Sequence, residues 1–365
     1  MIPLIVDLET EWRGGQNQAL LTAKGMLERG HDAQLVAIRD SPLAQRATQA
    51  GIQVHEVAAR AKRSRAALLL RKLLSENKFD VVHANEPHAL TAAWFAGAHK
   101  RLPVVASRRV AYPLKQNALA RSRYLMARRI LAVSQFVAAS VTESGIAADK
   151  VQVVYEGVEV PTAVAPEGRE RARQRWGIAG NEKLLGCVGY LLPEKGQESV
   201  VRAMPEVRAK FPGTRLLLAG DGPCRARLEG LAKQLSLQSA VIFAGFVEDV
   251  AQVYAALDIF VFPSLAEPLG TSLLAAMAWG LPVLAVASGG VPEYVHDGEN
   301  GVLVAESDPA LTAGAALRLL TNDSLSAEFG RKARRTIEDK FSAGRMVENT
   351  LNVYQKVIYK AAAKS

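Results

Sequence analysis

Residues 259–286, IFVFPSLAEPLGTSLLAAMAWGLPVLAV, set a small apolar helix between two short apolar strands. Continuous apolar strands joined by helices are typical of parallel sheets that are covered on both faces. The segment therefore predicts an α/β fold. Its one carboxylate, Glu267, lies just before the helix, at the edge where strands end and where open α/β sheets bind their ligands.

The same alternation runs through the rest of the chain. In the first half the apolar runs are PLIVDL, AQLVAI, VVHA, PVVAS, ILAVS and VQVVY, with helical stretches over 15–29, around 64–76 and over 88–98. The second half repeats the pattern with KLLGCVGYL, TRLLLAG, AVIFAGF, IFVFPS, LPVLAV and GVLVA. We therefore predict two doubly wound domains in tandem. The linker-like stretch PTAVAPEGRERARQR (161–175) predicts a first domain over 1–168 and a second over 169–342.

Size and composition favour an enzyme over a membrane-spanning or exported protein. The 365 residues exceed one hydrophobic core, and 49% of them are hydrophobic. No uncharged apolar run approaches the ~18 residues that span a bilayer. The acidic residues of MIPLIVDLETEW are atypical of a signal peptide, which predicts a cytoplasmic protein. Cys187 and Cys224 lack metal-ligand spacing and are interpreted as small buried side chains.

The positive charge is concentrated in the first half. Residues 1–150 hold 22 Lys+Arg against 12 Asp+Glu, which leaves 23 against 24 of the chain's 45 and 36 for the remainder. The basic residues cluster in ARAKRSRAALLLRKLL (59–74) and between Arg108 and Arg129. Two interpretations are open: solvated helix faces, or contact with an anionic membrane surface, which would make the protein peripheral on the inner face of the cell membrane. No nucleic-acid-binding motif accompanies the charge.

In the first domain two stretches lie at predicted strand ends. Gly14 and Gly15 precede a helix and permit a close backbone approach to an anion, although a purely structural turn fits equally well. No GxGxxG motif is found in a suitable context, so a nicotinamide dehydrogenase is disfavoured. His83 ends VVHA, and both a packing and a catalytic role are open to it. The nearby His88 gives no pair with convincing metal spacing.

In the second domain two helix starts fall at the same predicted edge. Lys195, in GYLLPEKGQESV, combines a mobile positive charge with the free amides of a helix start, which suits a diphosphate. Gly270, Thr271 and Ser272 begin a second helix whose amides and hydroxyls can reach the same phosphates. The alternative for each is an ordinary surface turn.

Taken together, several segments carry a resemblance along nearly the whole chain. They are RGGQNQALLTAKGMLERGHDAQLV, VVHANEP, ILAVSQFVAASVTESGIAADKVQVVYEGVEV, VGYLLPEKG, RLLLAGDGP, FAGFVEDVAQVYAALDIFVFPSLAEPLGTSLLAAMAWGLPVLA and SGGVPEYVHDGENGVLV. In this order they resemble a retaining glycosyltransferase of family 4, most specifically between Val188 and Val304. The resemblance implies the GT-B fold, in which two Rossmann-like doubly wound domains face each other across a cleft.

The resemblance also implies roles for individual residues. Glu267 matches a glutamate that binds hydroxyls of the donor sugar, and Lys195 matches a lysine that binds the diphosphate. A second glutamate, for the ribose, would fall at Ala275, which removes a hydrogen bond worth roughly 1.5–3 kcal/mol. Tyr190 stands where the family has an arginine. The implied donor-binding set is therefore Gly14, Gly15, Tyr190, Gly270, Thr271, Ser272 and Ala275, and the implied catalytic set is Lys195, Glu267 and His83.

A family histidine near the sugar lies in a stretch resembling HxHEP. Here HANEP keeps His83 and Glu86 but has Asn85 at the second histidine position. The resemblance further implies that a C-terminal helix over about 343–365 packs back on the first domain.

The implied activity is metal-independent, retaining hexosyl transfer from a nucleotide diphosphate sugar to an acceptor hydroxyl. No cofactor is expected, and no acidic DxD motif that would bind a metal is present. The basic first domain favours a glycan or glycolipid acceptor of the lipopolysaccharide-core type, and no nucleic acid. Two alternatives stay open: a non-catalytic nucleotide-sugar-binding protein, indicated by Ala275 and Tyr190, and a nucleotide-sugar epimerase on the same fold.

Overall fold

The computed structural model describes residues 1–76, 78–114, 118–162 and 166–362. The chain divides into two compact units. The first comprises Met1–Gly157 with the C-terminal segment that begins at Ala343, and the second comprises Val158–Ser342.

Within the described part of the first unit, seven strands form one parallel sheet. Their order is β3-β2-β1-β4-β5-β6-β7. The strands are β1 Pro3–Val6, β2 Gln34–Ile38, β3 Gln53–Val57, β4 Val81–Ala84, β5 Val104–Arg108, β6 Arg129–Ala132 and β7 Val151–Val153. Because the order reverses between β1 and β4, the loops after these two strands lie side by side at the carboxyl edge.

Six helices of the first unit connect these strands: α1 Gly14–Leu27, α2 Pro42–Gln49, α3 Lys62–Ser75, α4 Pro87–Ala96, α5 Ala118–Leu125 and α6 Gln135–Glu143, counted over the described residues. Their inward faces bury apolar side chains such as Ala19, Met26 and Leu43 against the sheet. This burial supplies the main favourable term in the stability of the unit.

The second unit has a parallel sheet of six strands in its described residues, in the order β10-β9-β8-β11-β12-β13. The strands are β8 Lys183–Val188, β9 Thr214–Ala219, β10 Val241–Gly245, β11 Ile259–Phe262, β12 Val283–Val286 and β13 Val302–Val304. The helices are α7 Pro166–Arg175, α8 Gln197–Lys210, α9 Arg225–Gln234, α10 Ala251–Ala256, α11 Thr271–Ala278, α12 Pro309–Leu320 and α13 Asp323–Thr336.

The last helix, α14 Ala343–Ala362, belongs to the first unit. Its apolar side packs into the first core through Met346, Leu351, Val353 and Val357. The contact with α1 is close, since a Cβ on Gly25 would lie 2.7 Å from Cγ2 of Val347.

The boundary between the units differs from the sequence-based one. The structure divides the chain after Gly157, whereas the linker composition predicted 168/169. The reason is hydrogen bonding: the amide of Val158 donates to the carbonyl of Phe341 at 3.0 Å, and Arg334 donates to the carbonyl of Pro161 at 2.8 Å. The first part of the predicted linker is therefore bound to the second unit. The sequence predicted no helix over α2, α5 or α6 and no strand over β3. The strand β3 (QVHEV) is half-exposed and lacks a continuous apolar run.

The two basic segments have different environments. Helix α3 exposes Arg63, Arg65 and Lys72 to solvent. The span from Arg108 to Arg129, in contrast, is not a continuous basic face. Arg108 is buried, with its guanidinium 5.0 and 5.9 Å from the ring centroids of two tyrosines. Residues 115–117 of this span lie outside the described residues.

None of the described helices is both long and apolar enough to cross a membrane.

Candidate functional site

Lys195 and Glu267, predicted as site residues from distant parts of the sequence, form an ion pair in the second unit. Nζ of Lys195 lies 2.6 Å from Oε2 of Glu267. The hydroxyl of Ser264 donates to the same oxygen at 3.0 Å. The Glu267 side chain is 10% exposed and that of Lys195 is 29% exposed, so the carboxylate is buried while the ammonium keeps contact with solvent. Burial of the carboxylate is tolerated because it is paired and hydrogen-bonded.

The pair depends on strand order. Lys195 ends a 3₁₀ turn over Pro193–Lys195 that follows β8, and Glu267 lies in the loop that follows β11. Strands β8 and β11 are neighbours in the sheet, so the two loops lie side by side. The amide of Leu265 donates to the carbonyl of Glu194 at 2.8 Å and joins the loops directly.

A glycine permits this close approach. Gly196 has φ +69°, and a Cβ there would lie 2.1 Å from the carbonyl oxygen of Pro263. Any other residue would be strained in φ and would clash with the backbone of the neighbouring loop. The KG sequence of PEKG is thus a structural requirement for the position of Lys195.

The segment Ser288–Gly290 fixes the backbone of Glu267. The amide of Glu267 donates to the Ser288 hydroxyl at 3.3 Å, and its carbonyl accepts from the amide of Gly290 at 3.0 Å. Gly289 has φ +56°, and a Cβ there would lie 1.9 Å from the Glu267 carbonyl oxygen. The SGG sequence therefore holds the carboxylate in place from the loop after β12.

Helix α11 begins immediately beyond this pair. Gly270 occupies its N-cap with φ +97° and, as a glycine, offers no side chain for a capping hydrogen bond. Thr271 and Ser272 form its first turn and are half-buried. The first-turn amides of a helix lack intrahelical acceptors, so this end attracts negative charge.

The two departures from the family pattern are also located in this unit. Tyr190 follows β8 and is 50% exposed, and its carbonyl accepts from the Gln197 side chain at 3.2 Å. Ala275 is a half-buried residue of α11. Neither position supplies a charge.

At the carboxyl edge of the first sheet lies a buried carboxylate that sequence analysis missed. Asp7 is fully buried after β1 and accepts hydrogen bonds from the Asn85 amide at 2.6 Å and from the Gln16 amide at 3.0 Å. Burial raises its pKa, although the amide of Glu9, the two side-chain amides and Arg109 all favour the charged form. No local motif indicated this cluster, because its members come from three separate segments.

Gly14 and Gly15 begin α1 and are joined to this cluster. The Asn85 side-chain amide donates to the Gly15 carbonyl at 3.0 Å. Arg109 donates to the Asn85 carbonyl at 2.6 Å and pairs with Glu156 at 2.8 Å. Arg109 is therefore a largely buried, neutralised residue at the carboxyl edge, not part of a solvated basic face.

Glu86 caps α4 at the same edge, accepting from the amides of His88 and Ala89. Burial, together with the negative charge of Asp7, raises its pKa to about 7. Among the described residues, Glu9, Glu86 and His88 present three ligand atoms within 4.8 Å of one another. Two of them are already engaged: Glu86 caps the helix, and Nζ of Lys62 lies 3.7 Å from Glu9.

His83 lies inside strand β4 Val81–Ala84 and not in the loop that follows it, which favours the packing role that the sequence left open. It is buried, with Nδ1 2.6 Å from the Tyr354 hydroxyl of α14 and Nε2 2.7 Å from the Ser107 hydroxyl. Burial lowers its pKa to about 3, which keeps the ring neutral. Both ring nitrogens are engaged inside the unit, as a packing role requires. Asn85, two positions later, reaches the edge instead.

Two family models match the chain one after the other. "Glycosyltransferase Family 4" matches residues 12–160, and "Glycosyl transferases group 1" matches residues 168–336. The chain belongs to the family 4 glycosyltransferases. The two matches correspond to most of the first sheet and most of the second unit.

Curated relatives of this family 4 chain include an uncharacterized glycosyltransferase of Methanocaldococcus jannaschii, 32% identical over 57% of this chain and 54% of that protein. A GDP-mannose-dependent alpha-(1-6)-phosphatidylinositol monomannoside mannosyltransferase of Mycolicibacterium smegmatis is 34% identical over 46% of each chain. A lipopolysaccharide core biosynthesis glycosyltransferase of Rhizobium meliloti is 34% identical over 42% of this chain and 44% of that protein. The chain spans about half the length of these relatives.

Solved structures match over the full length. The Anabaena protein HepE, in complex with UDP and glucose, gives a TM-score of 0.85 at 23% identity and covers 97% of this chain and 99% of its own. A glycosyltransferase of Rickettsia africae gives 0.86 at 20% identity, with 98% of each chain covered. The family 4 chain therefore has the predicted GT-B fold.

Proposed function

We propose that this protein transfers a sugar from a nucleoside diphosphate sugar to an acceptor hydroxyl, with retention at the anomeric carbon. The observation that carries the proposal is the Lys195–Glu267 pair, which places a cation and a buried acceptor 2.6 Å apart beside the start of α11. A donor of this type offers matching groups, since its diphosphate needs cations and its sugar offers hydroxyl donors.

When the donor binds, the Lys195–Glu267 ion pair would separate, and each residue would contact a different part of the donor. Lys195 turns to the diphosphate, whose charge is also stabilised by the amides of Thr271 and Ser272. Glu267 then accepts hydrogen bonds from sugar hydroxyls and keeps the bond from Ser264. The carboxylate thus exchanges one charged partner for neutral ones.

In the transfer step, the bond between the anomeric carbon and the diphosphate oxygen breaks, and its electron pair leaves with the phosphate. The acceptor oxygen forms the new bond on the same face, and its proton passes to the departing diphosphate. Lys195 and the helix amides stabilise the negative charge that develops on the phosphate. No nucleophilic side chain is needed, and we propose that no divalent metal is needed either.

The exposed surface of helix α3 supports a proposal for the acceptor. Leu68 is 64% exposed on this helix, among the exposed basic residues Arg63, Arg65 and Lys72. An exposed apolar side chain among basic ones fits an anionic membrane surface. Relatives named for phosphatidylinositol mannoside and lipopolysaccharide-core transfer support a glycolipid acceptor. We propose a cytoplasmic protein that is peripheral on the inner membrane face.

Calorimetric titration with UDP, GDP and ADP tests the donor site. Lys195→Ala should weaken binding of the preferred nucleotide about tenfold or more, as expected for losing a charged hydrogen bond. Glu267→Gln should leave nucleotide binding intact but remove the added affinity of the sugar conjugate. Lys233→Ala, an exposed lysine of the same unit, is the matched control.

A second assay separates transfer from mere binding. Release of the nucleoside diphosphate from the sugar conjugate, measured with and without EDTA, should depend on Lys195 and be unaffected by EDTA. Because Tyr190 and Ala275 remove two family contacts, a purely nucleotide-binding protein is the second candidate. Binding without any release or transfer would establish it, and loss of activity in EDTA would refute the metal-free reaction.

Sedimentation with anionic vesicles tests the membrane proposal. Wild type should bind vesicles at low salt and dissociate as the salt concentration rises. Arg65→Glu with Leu68→Ser should weaken binding, whereas vesicle binding equal to that of wild type would refute the role of α3.

A further inference from the structure

A cavity of about 430 Å³ lies in the first unit, at the edge of the sheet where strands begin. Arg129 is the first residue of β6, and Lys150 directly precedes β7. The residues of the candidate site in this unit, such as Gly15 and Asn85, lie instead where strands end. The cavity is therefore at the opposite edge of the sheet and forms no part of that site.

The lining is strongly cationic. Its charged and titratable members are His99, Arg128, Arg129, Lys150, Lys360 and Asp149. Four Lys and Arg side chains against one Asp give a net charge of +3 with the histidine neutral. Like charges that border one cavity repel one another, and an anion bound between them would remove this repulsion.

Two of these cations are held in place. Nζ of Lys150 donates to the carbonyls of Leu125 and Ala127, the latter at 3.4 Å. The Arg129 guanidinium donates to the carbonyl of Arg128 at 2.9 Å. Backbone carbonyls orient these groups without neutralising them, so part of the ordering needed to bind an anion is already in place.

The remaining cations are free to reach a ligand. Over residues 1–76, 78–114, 118–162 and 166–362, the side chains of Arg128 and Lys360 make no hydrogen bond or ion pair. Both are exposed, on different elements that border the same cavity. Leu125, Met126 and Val357 add apolar surface to the lining.

We propose that this cavity binds a phosphate-bearing anion about the size of a diphosphate or of a phosphodiester headgroup. Its volume lies within the range of small-molecule sites. Arginine offers paired donors to phosphate oxygens and lysine offers a mobile charge, so the lining matches phosphate chemistry. Such an anion has two sources, a soluble polyphosphate or a lipid headgroup, and the experiment distinguishes them.

The test compares two double variants with equal changes in net charge. Arg128→Glu with Lys360→Glu reverses the free cations of the cavity. Lys210→Glu with Lys233→Glu reverses two exposed lysines of the second unit and serves as control. Each is titrated at low salt with inorganic pyrophosphate and with vesicles of phosphatidylcholine containing 30% phosphatidylglycerol. Lys195→Ala is titrated with pyrophosphate to identify binding at the candidate donor site.

The cavity variant should lose about tenfold or more in affinity for pyrophosphate, for anionic vesicles, or for both, while the control stays close to wild type. Loss confined to pyrophosphate identifies a soluble ligand, and loss confined to vesicles identifies a headgroup. Equal losses in the two double variants would overturn the proposal, since they would reflect overall charge.

Three further outcomes would also overturn it. These are no binding of either probe by wild type, binding that the cavity variant leaves unchanged, and pyrophosphate binding that only Lys195→Ala removes. If the cavity variant does not fold, Arg128→Gln with Lys360→Gln replaces it. The proposal does not rest on glycosyl transfer, so its failure leaves the proposed function untouched.

Discussion

Glu86 should make the first unit less stable as the pH rises through neutrality. Its carboxyl group accepts from the amides of Ala89, at 2.6 Å, and His88, and it caps α4 close to the buried carboxylate of Asp7. Burial and the charge of Asp7 raise its pKa from 4.5 to about 7. Replacing it with glutamine removes the titration while keeping a side chain of similar size.

The pH dependence of the unfolding free energy follows from proton binding at Glu86. Between pH 4.5 and 7 the folded protein binds more protons at Glu86 than the unfolded chain does, so its stability falls as the pH rises through this window. The stability gained from protonated Glu86 is complete below pH 4.5 and lost above pH 7. A pKa shift from 4.5 to about 7 corresponds to roughly 3 kcal/mol at 1.36 kcal/mol per unit.

Hydrogen exchange of peptides from α4 measures the relevant opening free energy. Between pH 5 and 8, wild type should lose roughly 2–3 kcal/mol more than Glu86→Gln. The weaker cap of glutamine costs about 1 kcal/mol at both pH values and cancels in this difference. If the two proteins show the same pH dependence within about 0.5 kcal/mol, the reasoning on Glu86 is wrong.

Three other predictions concern single residues. Gly289→Ala should lower the unfolding temperature and abolish binding that depends on Glu267, because residue 289 has φ +56° and its new Cβ would lie 1.9 Å from the Glu267 carbonyl oxygen. The control is Gly298→Ala, where φ is +74° and the space around the residue is open. This variant should lose only about 1 kcal/mol of unfolding free energy. His83 has a pKa of about 3 in the folded protein against 6.5 in the unfolded chain, so the stability that its neutral ring provides is present above pH 6.5 and is lost as the pH falls towards 3. In urea titrations, His83→Asn should therefore lose less unfolding free energy on acidification than wild type, and it should keep transfer activity. Loss of transfer in a folded His83→Asn variant would instead indicate a catalytic role. Ser264→Ala should raise the KM for the sugar donor about fivefold through one lost hydrogen bond and leave nucleotide binding unchanged; an equal loss for the bare nucleotide would contradict this.

The sequence predicted the sheets well because buried parallel strands are apolar along their whole length. The run VVHA coincides with β4 Val81–Ala84, and the run KLLGCVGYL contains β8 Lys183–Val188 and extends three residues beyond it. It failed at β3, whose half-exposed strand lacks this signature. It also failed for Arg109, because a sequence shows a basic cluster but not the buried partner Glu156 that neutralises one of its members.

The sequence by itself determined the α/β architecture and the family, and it predicted Lys195 and Glu267 as site residues, since these depend on local periodicity and on motifs. Only the tertiary structure decided which residues share an edge. Lys195 meets Glu267 because β8 and β11 are neighbours in the sheet, although 72 residues separate them. His83 lies on a face that α14 covers, whereas Asn85 passes the end of β4 and reaches Asp7. Strand order and the point at which each strand ends set these contacts, and neither is fixed until the strands are paired.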